Sequence, residues 1–125
     1  MEDMLSETEK IAGEIGLLLS EHNGSDVLVL DVREMIDWTD YFIIATTSSY
    51  THMDGLERHI KEFCRQRKMD IVRKSQRSRA GDDEWRLIDL GRAVIHLMSR
   101  NAREFYELER LWTNLGTGSH SSKSS

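Results

Sequence analysis

A single cysteine, Cys64, stands in the 125-residue chain. No intramolecular disulfide can form, and there are too few thiols for a cysteine-built zinc site. A reducing compartment fits that usage, so the protein is expected to be cytoplasmic. No apolar run approaches the roughly 20 residues of a membrane helix, and Met1-Glu2-Asp3 lacks the basic and apolar character of a signal peptide. A soluble protein with no membrane partner is therefore expected. There is no GxGxxG and no P-loop lysine, and no carboxylate pair sits on a strand with metal-ligand spacing. Basic residues are the minority, 17 against 22 acidic, giving a net charge of -5. That balance argues against a protein whose whole surface grips phosphate backbones, while leaving room for a local basic patch.

What is present suffices for one domain with a single core, since 38% of the residues are hydrophobic. The domain is expected over residues 1–115, and the serine-rich stretch 116–125 is expected to be a disordered tail. Ser6-Glu7-Thr8-Glu9 has the form of a capping box ahead of Ile11, Ile15, Leu18 and Leu19, which predicts a helix from about Ser6 to Glu21, stopped by Asn23-Gly24. Asp26 to Val32 and Asp40 to Thr46 read as buried strands, joined by too short a connection for a helical crossover and so antiparallel neighbours. Met53, Leu56, Ile60 and Phe63 make one helical stripe, capped by Ser49 or Thr51.

A short strand over Asp70 to Ser75 should close a strand, helix, strand unit with its two strands parallel. Arg77 to Asp83 is expected to be a mobile loop. Leu90-Gly91-Arg92 is a hairpin connection between two further strands. Asn101 with Glu104 is expected to cap a last helix, whose stripe is Phe105, Leu108 and either Leu111 or Trp112. The sum is an α/β or α+β domain with a mixed five-stranded sheet flanked by helices.

Several constellations deserve weighing. Ser48, Ser49 and Cys64, with His52 nearby, could suggest a nucleophile, yet the serines sit where a helix cap belongs and lack the glycine framing of a nucleophile elbow. His52 and His59 are two helical turns apart, too far for the i, i+4 pairing that shares one ion. His96, between Ile95 and Leu97, reads either as a hydrogen-bonded histidine on the face opposite those neighbours or as a functional group. Arg73, Lys74, Arg77 and Arg79 form a basic run able to make a peripheral rRNA contact, but no aromatic is interleaved with it. Trp85, Tyr106 and Trp112 belong to the residue types that dominate binding energy at protein interfaces, and they stand equally well as core closure. No catalytic residue, metal or cofactor is expected.

Spaced blocks give a more specific signal. Trp38-Thr39-Asp40-Tyr41-Phe42-Ile43-Ile44-Ala45-Thr46, then Trp85 with Leu87 and Asp89-Leu90-Gly91, then Val94-Ile95-His96, and finally Ala102-Arg103-Glu104-Phe105-Tyr106-Glu107-Leu108-Glu109-Arg110-Leu111-Trp112 resemble the ribosomal silencing factor, or Iojap-like, family. The resemblance covers about Leu5 to Trp112. It implies a fold related to nucleotidyltransferases without their catalytic signature. It also implies binding to large-subunit ribosomal protein fourteen, a steric block of subunit joining, and lower translation under nutrient limitation. Carried over by position, the partner-binding residues are Trp85, Leu87, Asp89, His96, Arg103, Tyr106 and Glu109. Asp40 also matches, either as a contact or as a structural acid at a strand start.

An acidic domain suits a basic ribosomal protein. The alternative implied by the fold relationship alone is a nucleotide-binding enzyme of nucleotidyltransferase type. A homodimer of the free protein is compatible with the same aromatic surface. Departures from the family pattern are Thr47 in place of its usual glycine, Thr51 in place of an arginine before the retained His52, and the longer segment Lys74 to Asp83 before Trp85.

Overall fold

A computed structural model describes residues 6–78 and 84–107. The elements run α1 (Glu7–Glu21), β1 (Ser25–Asp31), β2 (Tyr41–Thr47), α2 (Tyr50–Arg67), β3 (Arg73–Ser78), β4 (Glu84–Asp89), β5 (Ala93–Ser99) and α3 (Arg100–Tyr106). Ser6 opens α1 as expected, its hydroxyl accepting the Glu9 N–H at 3.0 Å. The helix ends as the Gly24 N–H reaches the Leu19 carbonyl at 2.7 Å. A Cβ on Gly24 would lie 2.8 Å from that same oxygen, so the turn into β1 needs glycine there.

The five strands form one mixed sheet in the order β1-β2-β5-β4-β3. β1 and β2 are antiparallel neighbours, as their short connection required. β2 and β5 are parallel, Phe42 opposite Val94 and Ile44 opposite His96. β4 joins β5 through the Leu90-Gly91-Arg92 hairpin, where Gly91 takes a φ of +93°. β3 then pairs antiparallel with β4 at the edge.

Three expectations need correction. The third strand is Arg73–Ser78 rather than Asp70 to Ser75, so Arg77 and Ser78 belong to a strand, not a loop. An edge strand open to solvent has no need of apolar side chains, so Arg73–Ser78 carries none of the alternation that would mark it. As expected, β3 runs parallel to β2, since each antiparallel step from β5 reverses direction, with β5 and β4 between them. Finally, Ser99 rather than Asn101 caps α3, accepting the Ala102 N–H at 3.1 Å. Phe105, expected to face inward, is 57% exposed, and Ala102, Arg103 and Tyr106 turn to the sheet instead. Leu108, Leu111, Trp112, the segment 79–83 and the stretch 116–125 lie outside the described residues.

The two sheet faces are covered unequally. α1 and α2 pack on one, where Ala12, Ile15, Leu19, Met53, Leu56, Ile60 and Cys64 meet Ile43, Ala45, Ile88, Ile95 and Leu97 in the main core. The opposite face carries a smaller cluster, Leu30, Val32, Ile44, Met98 and Ala102, with Met35, Ile36, Phe42, Trp85 and Tyr106 packed at its margin. Of the described helices only the two-turn α3 lies on that second face, where Leu28, Phe42, Trp85, Leu87 and Tyr106 stay half-buried.

Candidate functional site

Strand alternation decides which residues reach the half-buried face. On β4, Arg86 and Ile88 point to the α2 side, so Trp85, Leu87 and Asp89 share the other. The ladder sets Leu87 beside His96, Trp85 beside Met98 and Asp89 beside Val94. It also sets His96 beside Ile44, which neighbours Leu28 on β1. α3 brings Arg103 and Tyr106 over the same face. Six of the seven positions singled out in the sequence therefore come together, and the seventh, Glu109, lies outside the described residues.

They are joined by a chain of rings. Tyr106 and Trp85 have centroids 4.6 Å apart, Trp85 and His96 5.8 Å, His96 and Phe42 4.6 Å, and Phe42 and Trp38 6.1 Å. Trp38 and Phe42 were quoted in the resemblance but not as site residues. Phe42 could have been found from alternation along β2, which puts it on the face of Ile44 and Thr46. Trp38 precedes the strand and is 55% exposed, a position that no periodicity specifies.

His96 is the fixed centre of this chain. It is 3% exposed, and its Nδ1 accepts the Trp85 indole N–H at 3.1 Å. That bond requires Nδ1 unprotonated, so the neutral ring carries its proton on Nε2, which is buried without a hydrogen-bond partner. Burial pushes the imidazole pKa down to about 4. The expected hydrogen-bonded histidine, facing away from Ile95 and Leu97, is thus what the strand presents.

The sign of the resulting linkage is definite. The unfolded chain takes up this proton near pH 6.5, whereas the folded chain resists it down to about pH 4. Stability is therefore full above pH 6.5 and falls as pH drops toward 4, by about 3 kcal/mol in total from this group. Urea unfolding midpoints measured from pH 7.5 to 4.5 should drop in the native protein and drop less steeply in His96→Phe. Parallel slopes in the two would remove His96 as the source.

Arg103 and Asp89 work through other groups. Arg103 is 7% exposed and donates to Thr46 Oγ1 at 3.0 Å, fastening α3 to β2. Asp89 Oδ1 accepts the Gly91 N–H at 2.8 Å and so shapes the hairpin, while Oδ2 lies 3.4 Å from Arg73. Asp40 is likewise structural in geometry, paired with Arg92 at 2.7 Å.

The residues weighed for catalysis or metal binding are otherwise engaged. His52 Nδ1 accepts the Ser48 N–H at 3.0 Å in the turn that leads into α2, and its Nε2 bonds the His22 carbonyl at 2.9 Å, tying α2 to the end of α1. The Ser48 hydroxyl is 3.1 Å from the same Nδ1, sharing a lone pair that the backbone amide already uses. His59 stacks on His22 at 3.6 Å rather than joining His52. Among the described residues no group of three or more His, Cys, Asp or Glu is placed to hold a metal ion. Cys64 is 2% exposed, and burial raises its thiol pKa. A cavity of about 470 Å³ opens where β2 and β5 end, lined by Thr46, Thr47, Ser48, Ser49, Ser99 and Arg100 among others. No helix among the described residues is long and apolar enough to cross a membrane.

What fold and site define together is a small α/β domain with a ring-lined, half-buried sheet face. The comparisons give this class its family: residues 5–124 match the model for "ribosomal silencing factor during starvation", and the chain belongs to that family. It is 34% identical to the ribosomal silencing factor of Treponema pallidum over 103 residues, 81% of this chain and 88% of that one. It is also 33% identical to the mouse protein "mitochondrial assembly of ribosomal large subunit protein 1" over 96 residues, which span 77% of this chain and 42% of the mouse protein. The fold is shared with a Chromobacterium violaceum protein of known structure, with a TM-score of 0.71 at 23% identity, covering 93% of this chain and 92% of that one.

Proposed function

We propose that this chain binds the large ribosomal subunit through ribosomal protein fourteen and sterically blocks joining of the small subunit, repressing translation when nutrients are scarce. The observation that carries this reading is the continuous ring chain from Tyr106 to Trp38 on a half-buried sheet face. Such a face offers rigid aromatic anchors to a macromolecular partner, and it needs no reacting group to act by occlusion. Trp85, Leu87 and Tyr106 supply the contact surface. His96 holds the Trp85 indole, Arg103 fastens the helix that carries Tyr106, Asp89 shapes the hairpin beside this face, and Glu109 joins the contact by the family pattern. A net charge of -5 favours approach to a basic ribosomal protein. The action is cytoplasmic, without cofactor or catalysis.

Two subsidiary contacts belong to this proposal. Arg73, Lys74 and Arg77 lie on the sheet-edge strand and, with Arg79 next in sequence after it, serve as a peripheral rRNA contact. In the free protein the exposed rings are available to a second copy, so homodimer formation and ribosome docking compete. The test is binding to isolated ribosomal protein fourteen by titration calorimetry. Saturable binding near one to one is expected, and no heat and no complex on a sizing column would overturn the partner assignment.

A further inference from the structure

The connection 32–40 between β1 and β2 forms the far end of the ring chain, and three features of it are unexplained by folding. Trp38 keeps 55% of its surface exposed although it touches Phe42. A tryptophan in that state contributes little to the core, and leaving so large an apolar ring in water is unfavourable. Beside it in sequence, Asp37 is exposed, and so is Glu34 one turn earlier. Neither carboxylate has an ion-pair partner among the described residues, whereas Asp31 is held by Arg33 and Asp40 by Arg92. The turn itself is ordered by hydrogen bonds from the Met35 and Ile36 N–H groups to the Val32 carbonyl, at 3.0 and 2.9 Å. Met35 and Ile36 pack into the smaller core cluster. The loop is therefore anchored while its tryptophan and two acids are presented outward.

We infer that Trp38, with Glu34 and Asp37, forms a second docking subsite that receives a lysine or arginine side chain of the protein partner. An exposed indole face attracts a cation through its quadrupole, most strongly when neighbouring carboxylates add to the field. Charge complementarity selects a basic protein as the occupant. At the opposite sheet edge β3 turns Arg73 to this face beside Asp89, while Lys74 reaches Glu57 on the α2 side, so the acids of Glu34 and Asp37, unpaired among the described residues, set the Trp38 end apart and give the partner one preferred orientation. The inference rests on the docking function proposed above and adds to it a contact at the other end of the face from Tyr106.

The test is binding of the full chain to purified large subunits at several salt concentrations. The variants are Trp38→Ala, the double neutralisation Glu34→Gln with Asp37→Asn, and Trp85→Ala. Trp38→Ala should weaken binding about five-fold or more, the scale of one cation–π contact. It should leave the urea midpoint unchanged, because the ring is largely exposed. The neutralised variant should bind with a shallower dependence of affinity on salt. If Trp85→Ala loses binding while Trp38→Ala and the neutralised variant match the native protein at every salt concentration, the subsite is overturned and the docking function stands. If the native chain does not bind large subunits at all, both fall together.

Discussion

Trp85→Ala is expected to weaken binding to the large ribosomal subunit by about 30-fold or more, corresponding to roughly 2 kcal/mol for a central aromatic anchor. Trp85 is placed for that effect by contacts on both sides. Tyr106 lies 4.6 Å away between ring centroids, and the buried His96 holds the indole N–H at 3.1 Å. The ring therefore meets a partner already fixed in orientation, with little side-chain entropy left to lose on binding. Because Trp85 also packs on the smaller core cluster, alanine should lower stability as well. Leu87→Lys provides the second variant: it sits on the same face opposite His96, removes apolar contact and adds a charge that a basic partner repels. Both variants should lose binding at temperatures where circular dichroism shows them folded. Native-like affinity in both would move the docking surface elsewhere.

On the other sheet face, Arg86→Leu is expected to cost about 3 kcal/mol of stability, the lower part of the range for breaking a buried pair. A fall in Tm of roughly 10–20 °C should follow for a domain of this size. Arg86 is 6% exposed and reaches Asp54 at 2.7 Å and Glu57 at 2.9 Å, binding β4 to α2. Burial would raise the Glu57 carboxyl, yet hydrogen bonds from Lys74 and Arg86 hold its pKa below the ordinary value. Lys74 remains 2.8 Å from Glu57 after the substitution, which keeps the cost from being larger. Adding Glu57→Leu should recover part of the loss, because a largely buried carboxylate that has lost its Arg86 partner and keeps only lysine partners is then gone. Calorimetric melting of the two variants checks this, and a Tm within a few degrees of native for Arg86→Leu would contradict it. Large-subunit binding should survive in the folded variant, since Arg86 points away from the ring chain.

Local rules made much of this legible. The Ser6 cap, the α2 stripe of Met53, Leu56 and Ile60, the Gly91 hairpin and the grouping of Trp85, Leu87 and Asp89 all follow from neighbours in sequence. What was missed depends on tertiary packing. β3 is a polar edge strand, so it carries none of the apolar alternation that marks a strand. Insertion of β5 beside β2 is set by how the crossover packs, which leaves no mark in β2 or β5 alone. Ser99 caps α3 because β5 ends there, which made the next polar residue, Asn101, look equally suitable. The resemblance to silencing factors supplied the site positions, and alternation explains why most of them converge. Neither indicated Trp38, whose exposure is a property of the folded loop.

A chain bound through this face should occlude subunit joining. This is tested most directly by mixing purified large and small subunits with increasing amounts of the chain and measuring the joined fraction on a sucrose gradient. The joined fraction should fall as the native chain accumulates on the large subunit, and Trp85→Ala at the same concentration should leave it near the level without added protein. A joined fraction that stays constant while the native chain saturates the large subunit would contradict occlusion.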